Sequence, residues 1–138
     1  MTPDPGPAVA LPDELLALLR SPSSCYVATI MPDGSPQLTL TWVDTDGAHV
    51  LVNTVSTHQK AKNLRRDPRV AVTVSDPANP SRYWEVRGQA SELTEDGAAE
   101  HIDVLSRRYT GGDYPWYGGR DQVRLLVRIT PERVRSMG

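Results

Sequence analysis

The sequence predicts a mostly antiparallel β structure of about six strands, closed into a small barrel or a curled sheet, with short flanking helices. Runs in which apolar and polar residues alternate recur along the chain, as they do in strands that have one buried face. Asp-Gly pairs at 33–34 and 46–47 follow the first two runs, and such pairs favour tight hairpin turns. Three other stretches have the apolar spacing of helices. These helices are expected to flank the sheet.

The chain is predicted to be one domain behind a flexible lead-in. Residues 1–10 contain three prolines and a glycine, a composition typical of disordered or extended segments. Residues 11–138 are predicted to form a single domain, because a chain of this length can bury a real core. A first short amphipathic helix is indicated by leucines at helical spacing, namely Leu11, Leu15, Leu18 and Leu19.

The next three strands are predicted to form an antiparallel meander. Residues 25–30 are strand-like, and a turn at 33–34 leads into the second strand. The turn at 46–47 then leads into a third strand that begins at Val50. The second strand alternates apolar and polar positions over Leu38, Thr39, Leu40, Thr41, Trp42 and Val43.

Residues 50–75 are expected to carry the ligand site. They have the pattern of a strand, a polar loop, a short basic helix that ends before Pro68, and another strand. Ser56 and Gln59 have the spacing of a capping box, and Thr57 is an alternative N-cap. Lys60 then falls in the first helical turn, where the helix dipole disfavours a cation. A bound anion would relieve that conflict.

The two faces of this basic helix are predicted to differ. Lys60, Asn63 and Asp67 share a face at helical spacing, which leaves that face for ligand or solvent. Ala61 and Leu64 are expected to pack against the core. An alternative interpretation is that the basic side chains form only a solvated surface; they are Lys60, Lys62, Arg65 and Arg66.

The chain then continues with a long strand and a covering helix. Residues 82–93 are predicted to be the strand, in which the small residues Gly88 and Ala90 indicate close backbone approach or a barrel corner. Thr94 is predicted to cap the helix. The helix is expected to cover the sheet with apolar positions at Ala98, Ile102, Leu105 and Tyr109.

An aromatic loop and a final strand complete the predicted domain. Residues 110–119, TGGDYPWYGG, are rich in glycine and aromatic residues, and are interpreted as a lid, a subunit contact or an ordinary surface loop. In the final strand, residues 123–129, Val123 and Leu125 alternate with polar positions such as Arg124. This pattern predicts that the polar positions share one face of the strand.

Composition and charge exclude several classes of function. The net charge is −2, whereas duplex-binding domains are usually basic, so no nucleic-acid partner is expected. No run approaches the ~18 apolar residues of a membrane span and no signal pattern is present, so a cytoplasmic protein with no membrane partner is expected. The lone cysteine, Cys25, is predicted to be a small buried thiol. No metal site is predicted, because the histidines lack ligand spacing; they are His49, His58 and His101.

The sequence holds no familiar catalytic motif, and no residue is predicted to be catalytic. A G-x-S-x-G elbow, a P-loop and a G-x-G-x-x-G turn are all absent from it. The remaining candidate is an anion site at the polar loop and basic helix, beside sheet hydroxyls. An organic cofactor that carries a phosphate would use both parts; the hydroxyls belong to Thr39, Thr41 and Thr54.

These residues carry a family resemblance. The run VNTVSTHQKAKNLRRDPRVAV, with PQLTLTWVD before it and RYWEVRGQASEL after it, resembles the split β-barrel flavin-binding superfamily of the pyridoxamine 5′-phosphate oxidases. It is most similar to the actinobacterial branch that uses the deazaflavin coenzyme F420. The resemblance runs from about Leu11 to Val134, and its most specific part is the pattern K-x-x-N-L-x-x-D-P-R-V from Lys60 to Val70.

The resemblance implies a split β-barrel homodimer that holds its cofactor at the subunit interface. It implies an oxidoreductase that transfers hydride between the cofactor and a small organic substrate. Lys60 would hold the cofactor phosphate, and Asn63 belongs to the same motif. The loop would be lined by Asn53, Thr54, Ser56, Thr57 and His58, while Thr39, Thr41 and Trp42 would lie nearer the ring.

Departures from the flavin-binding branch favour F420 over FMN. That branch carries basic residues where this chain has Gln37, Trp42 and Gln59, and each charge-assisted contact is worth ~1.5 to 3 kcal/mol. FMN remains the alternative cofactor, and a cofactor-binding protein without turnover remains an alternative function. A nucleic-acid surface on the basic helix is disfavoured, because the helix has no interleaved aromatic residues. Three exposed charges could meet the polyglutamate tail of F420, namely Lys62, Arg65 and Arg66.

Overall fold

Seven strands and three helices form within residues 9–137, the part of the chain that the computed structural model describes. Most of the predicted lead-in, residues 1–8, lies outside the described residues. The elements in chain order are α1 Asp13–Leu19, β1 Ser24–Ile30, β2 Pro36–Thr41, β3 Val43–Thr45, β4 Val50–Val55, α2 Gln59–Arg66, β5 Arg69–Asp76, β6 Asn79–Thr94, α3 Ala98–Thr110 and β7 Arg124–Met137.

The strands form one antiparallel sheet in the order β2-β1-β5-β6-β7-β4-β3. The two outermost strands, β2 and β3, are separated in the chain by Trp42 alone. The sheet therefore curls until its two edges meet at Trp42, which confirms the predicted closed, mostly β fold.

The predicted meander is present, but its middle strand is divided. β1 pairs with β2, and β3 pairs with β4, both antiparallel. A break at Trp42 gives seven strands where about six were predicted. β2 pairs with β1 at one end of the strand order, and β3 pairs with β4 at the other. A single straight strand could not make both pairings.

The inner faces of the strands form the core, as the alternation of the sequence predicts. Val27 on β1, Val72 on β5 and Val86 on β6 are buried together with Leu15 of α1. Cys25 also lies in this cluster, and burial raises the pKa of its thiol to about 12. The prediction of a small buried thiol is thus confirmed, and the thiol stays protonated at physiological pH.

The two predicted side-chain caps are wrong. Helix α2 has His58 at its N-cap and no side-chain capping bond, because the backbone N–H of Ser56 donates to the carbonyl of Val123 (2.9 Å) and holds Ser56 beside the sheet. Helix α3 follows Gly97, whose φ is 74°, while the Thr94 hydroxyl accepts a bond from the backbone N–H of Asp96. Contacts outside each helix decide both starts.

Close backbone approach at Gly88 is confirmed. A Cβ at this position would lie 2.0 Å from the carbonyl oxygen of Thr130 on β7, so only glycine fits there. The pairing of β6 with β7 shifts register between Arg87 and Gly88. The bend lets these two long strands wrap round the core.

Polar contacts hold helix α3 against β3, one of the two edge strands that meet at Trp42. The carboxylate of Asp44, on β3, contacts Nε2 of His101 at 3.1 Å and Nη1 of Arg108 at 2.9 Å. Burial raises the pKa of Asp44, but bonds from His101, the Thr45 backbone and Arg108 outweigh it and lower the pKa below its ordinary value. The Asp44 carboxylate therefore stays charged and anchors α3 beside Trp42.

Candidate functional site

A cavity of about 520 Å³ opens between the end of β4, the start of α2 and the inner side of α3. The sharp break at Trp42 and the polar end of β4 supply one part of its wall, and the aromatic loop that follows α3 supplies another. This volume is within the range of small-molecule sites. The side chains used below are Trp42, Asn53, Thr54, Lys60, Tyr114 and Arg124.

Lys60 is a buried cation in the wall of this cavity. Its side chain comes from the first turn of α2, and Nζ donates to the hydroxyl of Thr39 at 3.1 Å. Burial lowers the pKa of Lys60; the nearby Cys25 opposes this effect, and the positive charge of Arg124 adds to it. Among residues 9–137, Lys60 has no carboxylate partner.

Arg124 is a second buried cation, and the sequence did not single it out. Its Nε donates to Oδ1 of Asn53 at 2.8 Å, and its Nη1 donates to the hydroxyl of Tyr114 at 3.3 Å. The guanidinium lies 5.2 Å from the ring centre of Tyr114, a cation–π distance. Burial lowers the pKa of Arg124, and Tyr114 partly opposes this effect.

The sequence pattern at the start of β7 did not identify Arg124 as a site residue. The alternation of the sequence puts Arg124 on the polar face of the strand, yet residues 124–127 are all buried. Helix α3 covers the face of the sheet opposite the core, where Ala98 packs with Leu51 and Leu126. The available signal was an arginine that directly adjoins an apolar strand.

Two hydroxyls in the cavity wall have no partner within the described chain. They belong to Thr54 and Ser23, and both are buried. An unpaired buried hydroxyl costs free energy, so each would gain from a polar group in the cavity. Asn53, in contrast, is fully engaged, because its Nδ2 donates to the carbonyl of Ala98 at 2.8 Å.

Aromatic rings form the apolar part of the wall. Trp42 stacks on Tyr109 with ring centres 5.4 Å apart and planes at 16°. Tyr114 meets Trp42 edge-on at 6.4 Å. The aromatic loop therefore borders the cavity through Tyr114, while Tyr117 lies exposed at its rim.

His58 lies exposed at the rim, close to both cations. Partial burial of the ring lowers the pKa of His58, and the positive charges of Arg124 and Lys60 lower this pKa further. The imidazole is therefore neutral at physiological pH. Local positive potential at the rim favours an anionic ligand.

The structure brings together six of the ten predicted site residues. Lining the cavity are Thr41, Trp42, Asn53, Thr54, His58 and Lys60. Thr39 is adjacent, through its bond to Lys60.

The remaining three predicted residues, Ser56, Thr57 and Asn63, are not among the lining residues. Asn63 is fully buried between α2 and the β1–β2 hairpin, where its Nδ2 donates to Oγ1 of Thr29 at 3.0 Å. A cofactor-binding role for these three stays a prediction.

The structure holds no arrangement suited to a metal ion or a membrane span in its described part. Among residues 9–137, no three His, Cys, Asp or Glu side chains are grouped so that they could ligate a metal. No helix in the same range combines the length and the apolar character needed to cross a membrane.

Comparison with known protein families identifies a match over almost the whole chain. The sequence model of the pyridoxamine 5′-phosphate oxidases matches residues 11–138. The chain belongs to this family. The pyridoxamine 5′-phosphate oxidase family is one of oxidoreductases, and its fold binds flavin-type cofactors. The resemblance read from the central motif is therefore confirmed.

Two solved structures show how similar the chain is to other members of the pyridoxamine 5′-phosphate oxidase fold. A protein named F420 Reductase is 30% identical, covers 91% of this chain and 98% of its own, and superposes with a TM-score of 0.79. The conserved hypothetical protein Rv2991 from Mycobacterium tuberculosis is 32% identical, covers 99% of this chain and 89% of its own, and has a TM-score of 0.74.

Proposed function

We propose that this protein is an oxidoreductase that binds the deazaflavin coenzyme F420 in the cavity and acts on a small organic molecule. The observation that carries the proposal is Lys60, a buried ammonium that has no carboxylate partner among the described residues. A buried charge without a counter-charge is costly. A cofactor phosphate would supply the missing negative charge.

The groups around Lys60 suit such an anion. The ammonium keeps two N–H donors beyond the one that bonds to Thr39. The Thr54 hydroxyl is buried beside the same cavity and has no partner in the described chain. These donors could satisfy phosphate oxygens in a site shielded from water, where charge-assisted bonds are strong.

The aromatic wall suits a planar ring. Trp42 is held by its stack on Tyr109, and Tyr109 is fixed in turn because its hydroxyl donates to the carbonyl of Ser23 at 2.8 Å. A preorganised flat surface binds a ring with little loss of side-chain entropy. When bound, the deazaflavin supplies the hydride chemistry, and the protein supplies position and exclusion of water.

Neutral side chains support F420 rather than FMN. Gln59 donates to Oδ1 of Asn63 at 2.8 Å, and Gln37 accepts from Nδ2 of the same residue at 3.3 Å. Both amides are thus engaged within the protein, at positions where the flavin branch has cations. A solved structure with 30% identity is named F420 Reductase, which supports the same choice.

We also propose a homodimer that completes the cavity. Tyr26 on β1 and its cross-strand partner Leu40 on β2 are exposed, and Leu38 lies beside them. Leu38 and Leu40 are each 66% exposed. Leu40 also lines the cavity, so a second copy packed on this apolar surface would cover the ligand.

Fluorescence titrations of the purified protein with F420 and with FMN, at physiological salt, test the cofactor. Tighter binding of F420 is expected, with at least about a tenfold loss for Lys60→Ala. Arg82→Ala, which removes an exposed arginine paired with Glu14 outside the cavity, is the control and should bind within about twofold of wild type. Circular dichroism checks that both variants fold.

The possible outcomes separate the proposals cleanly. Preference for FMN would overturn the choice of cofactor and leave the site intact. Equal F420 affinity of wild type and Lys60→Ala would show that Lys60 does not bind the cofactor phosphate. If F420 binds, loss of reduced F420 absorbance in the presence of candidate electrophiles shows turnover, whereas binding without turnover against every electrophile identifies a cofactor-binding protein.

A further inference from the structure

Arg124 holds donors that no group in the described chain uses. Its guanidinium carries five N–H donors, of which Nε bonds to Asn53 and Nη1 to Tyr114. Nη2 makes no hydrogen bond within residues 9–137, and Arg124 lines the cavity although its side chain is largely buried. Like Lys60, Arg124 pairs with no carboxylate in the described chain.

The guanidinium is held in place by a chain of hydrogen bonds. Oδ1 of Asn53 accepts from Arg124 while Nδ2 of Asn53 donates to the carbonyl of Ala98. The same Nδ2 lies 3.3 Å from Nδ1 of His101, so Nδ1 is the acceptor and Nε2–H donates to Asp44. The orientation of Arg124 thus rests on the ionised carboxylate of Asp44, which Asn53 and His101 connect to it.

The two cations of the cavity come from different elements of the fold. Lys60 belongs to α2 and bonds to Thr39 of β2, whereas Arg124 belongs to β7 and bonds to residues next to α3 and in the aromatic loop. Arg124 also lies on the ring of Tyr114, which in turn meets Trp42 edge-on. Arg124 therefore reaches the cavity beside the aromatic wall, whereas Lys60 reaches it from the first turn of α2.

We propose that Arg124 is a second anion subsite, which binds the carboxylate of the organic substrate. The planar guanidinium suits a planar carboxylate, and the rings of Tyr114 and Trp42 suit a flat apolar body attached to it. The substrate class is therefore an aromatic or conjugated organic acid. The inference rests on the proposed function in one respect, since it leaves Lys60 to the cofactor.

The test uses two probes of nearly the same shape, 2-naphthoate, which is an anion, and 2-naphthamide, which is neutral. Each is titrated by NMR chemical shift into the protein, with and without saturating F420. Wild type should bind the naphthoate more tightly than the amide. Arg124→Gln should weaken naphthoate binding by about tenfold or more and leave amide binding within about twofold.

Matched variants guard against indirect effects. Arg128→Gln removes an arginine from the same strand, one whose partners are Glu92 and Asp46 outside the cavity, and should bind both probes as wild type does. Arg124→Lys keeps the charge but loses the planar fork, so it should recover only part of the naphthoate affinity. It also serves if Arg124→Gln fails to fold.

The two proposals fail in different ways. Equal binding of the two probes by wild type, or equal loss of both in Arg124→Gln, overturns the carboxylate subsite. A loss of F420 affinity in Arg124→Gln as large as that in Lys60→Ala also overturns it, because Arg124 then serves the cofactor. If wild type binds no F420 but still prefers the naphthoate through Arg124, the cofactor proposal fails and the subsite stands.

Discussion

Lys60 is the residue whose burial most clearly opposes stability. Its pKa is lowered by burial from 10.5, so between the lowered value and 10.5 the unfolded chain binds more protons than the folded one. The free energy of unfolding therefore rises with pH across that window. Below the window the whole penalty of the buried charge is present.

Replacing Lys60 by methionine should stabilise the ligand-free protein. At pH 7 we expect Lys60→Met to raise the free energy of unfolding by roughly 1 kcal/mol, because the apolar side chain avoids the cost of burying charge. The gain should shrink as the pH approaches 10.5, the ordinary lysine value. Urea unfolding at pH 7 and pH 10 measures both effects, with Lys62→Met as the control.

A destabilised Lys60→Met protein at pH 7 would show that the ammonium is already satisfied without a ligand. The same variant should lose anion binding, so stability and function oppose each other at this position.

Sequence reasoning found one of the two buried cations. Lys60 was identifiable because its helix, its motif and its turn position are all local in sequence. Arg124 was not, because its burial depends on α3 packing over the start of β7. Alternation within a strand reports which residues share a face, but it cannot report that both faces are covered.

At the scale of elements, the meeting of β6 and β7 depends on Gly88. We expect Gly88→Ala to lower the free energy of unfolding by at least about 2 kcal/mol, because the new methyl group would strike a backbone carbonyl that cannot rotate away. Gly112→Ala is the control, since a Cβ there meets nothing within 4 Å. Urea denaturation compares the two, and equal stabilities would show that β6 and β7 can separate at no cost.

The elements themselves were largely predictable, and their ends were not. Apolar periodicity located the three helices and the strands, since a packed face repeats at the period of its element. The predicted starts of α2 and α3 were wrong. The observed starts follow a backbone bond from Ser56 to Val123 and a left-handed Gly97. The break at Trp42 was also missed, since it arises from pairing with two distant strands.

At the scale of the whole molecule, the exposed leucines of β2 should hold the proposed dimer together. The double change Leu38→Lys and Leu40→Lys is expected to give a monomer by size-exclusion chromatography with light scattering, because buried lysines cost several kcal/mol. F420 affinity should fall with it, since Leu40 lines the cavity. Val104→Lys, an exposed apolar position on α3, should leave the dimer intact.

A monomeric wild type that binds F420 at full affinity would contradict the proposed assembly.

The overall architecture could be predicted from the sequence, because hairpins and the central motif are short-range signals. The particular pairing that closes the sheet was not, since it joins β4 to β7 far along the chain.

That long-range pairing has a consequence for when the protein first becomes able to bind anything. The cavity takes Asn53 from β4 and Arg124 from β7, and these strands pair across an interval of about 70 residues, with Asn53 opposite Leu126. Local contacts form quickly and distant ones slowly. The hairpins β1–β2 and β5–β6 can therefore form before β7 pairs with β4, but the cavity does not yet exist at that stage. Any ligand of this cavity would therefore bind only after β7 has paired with β4.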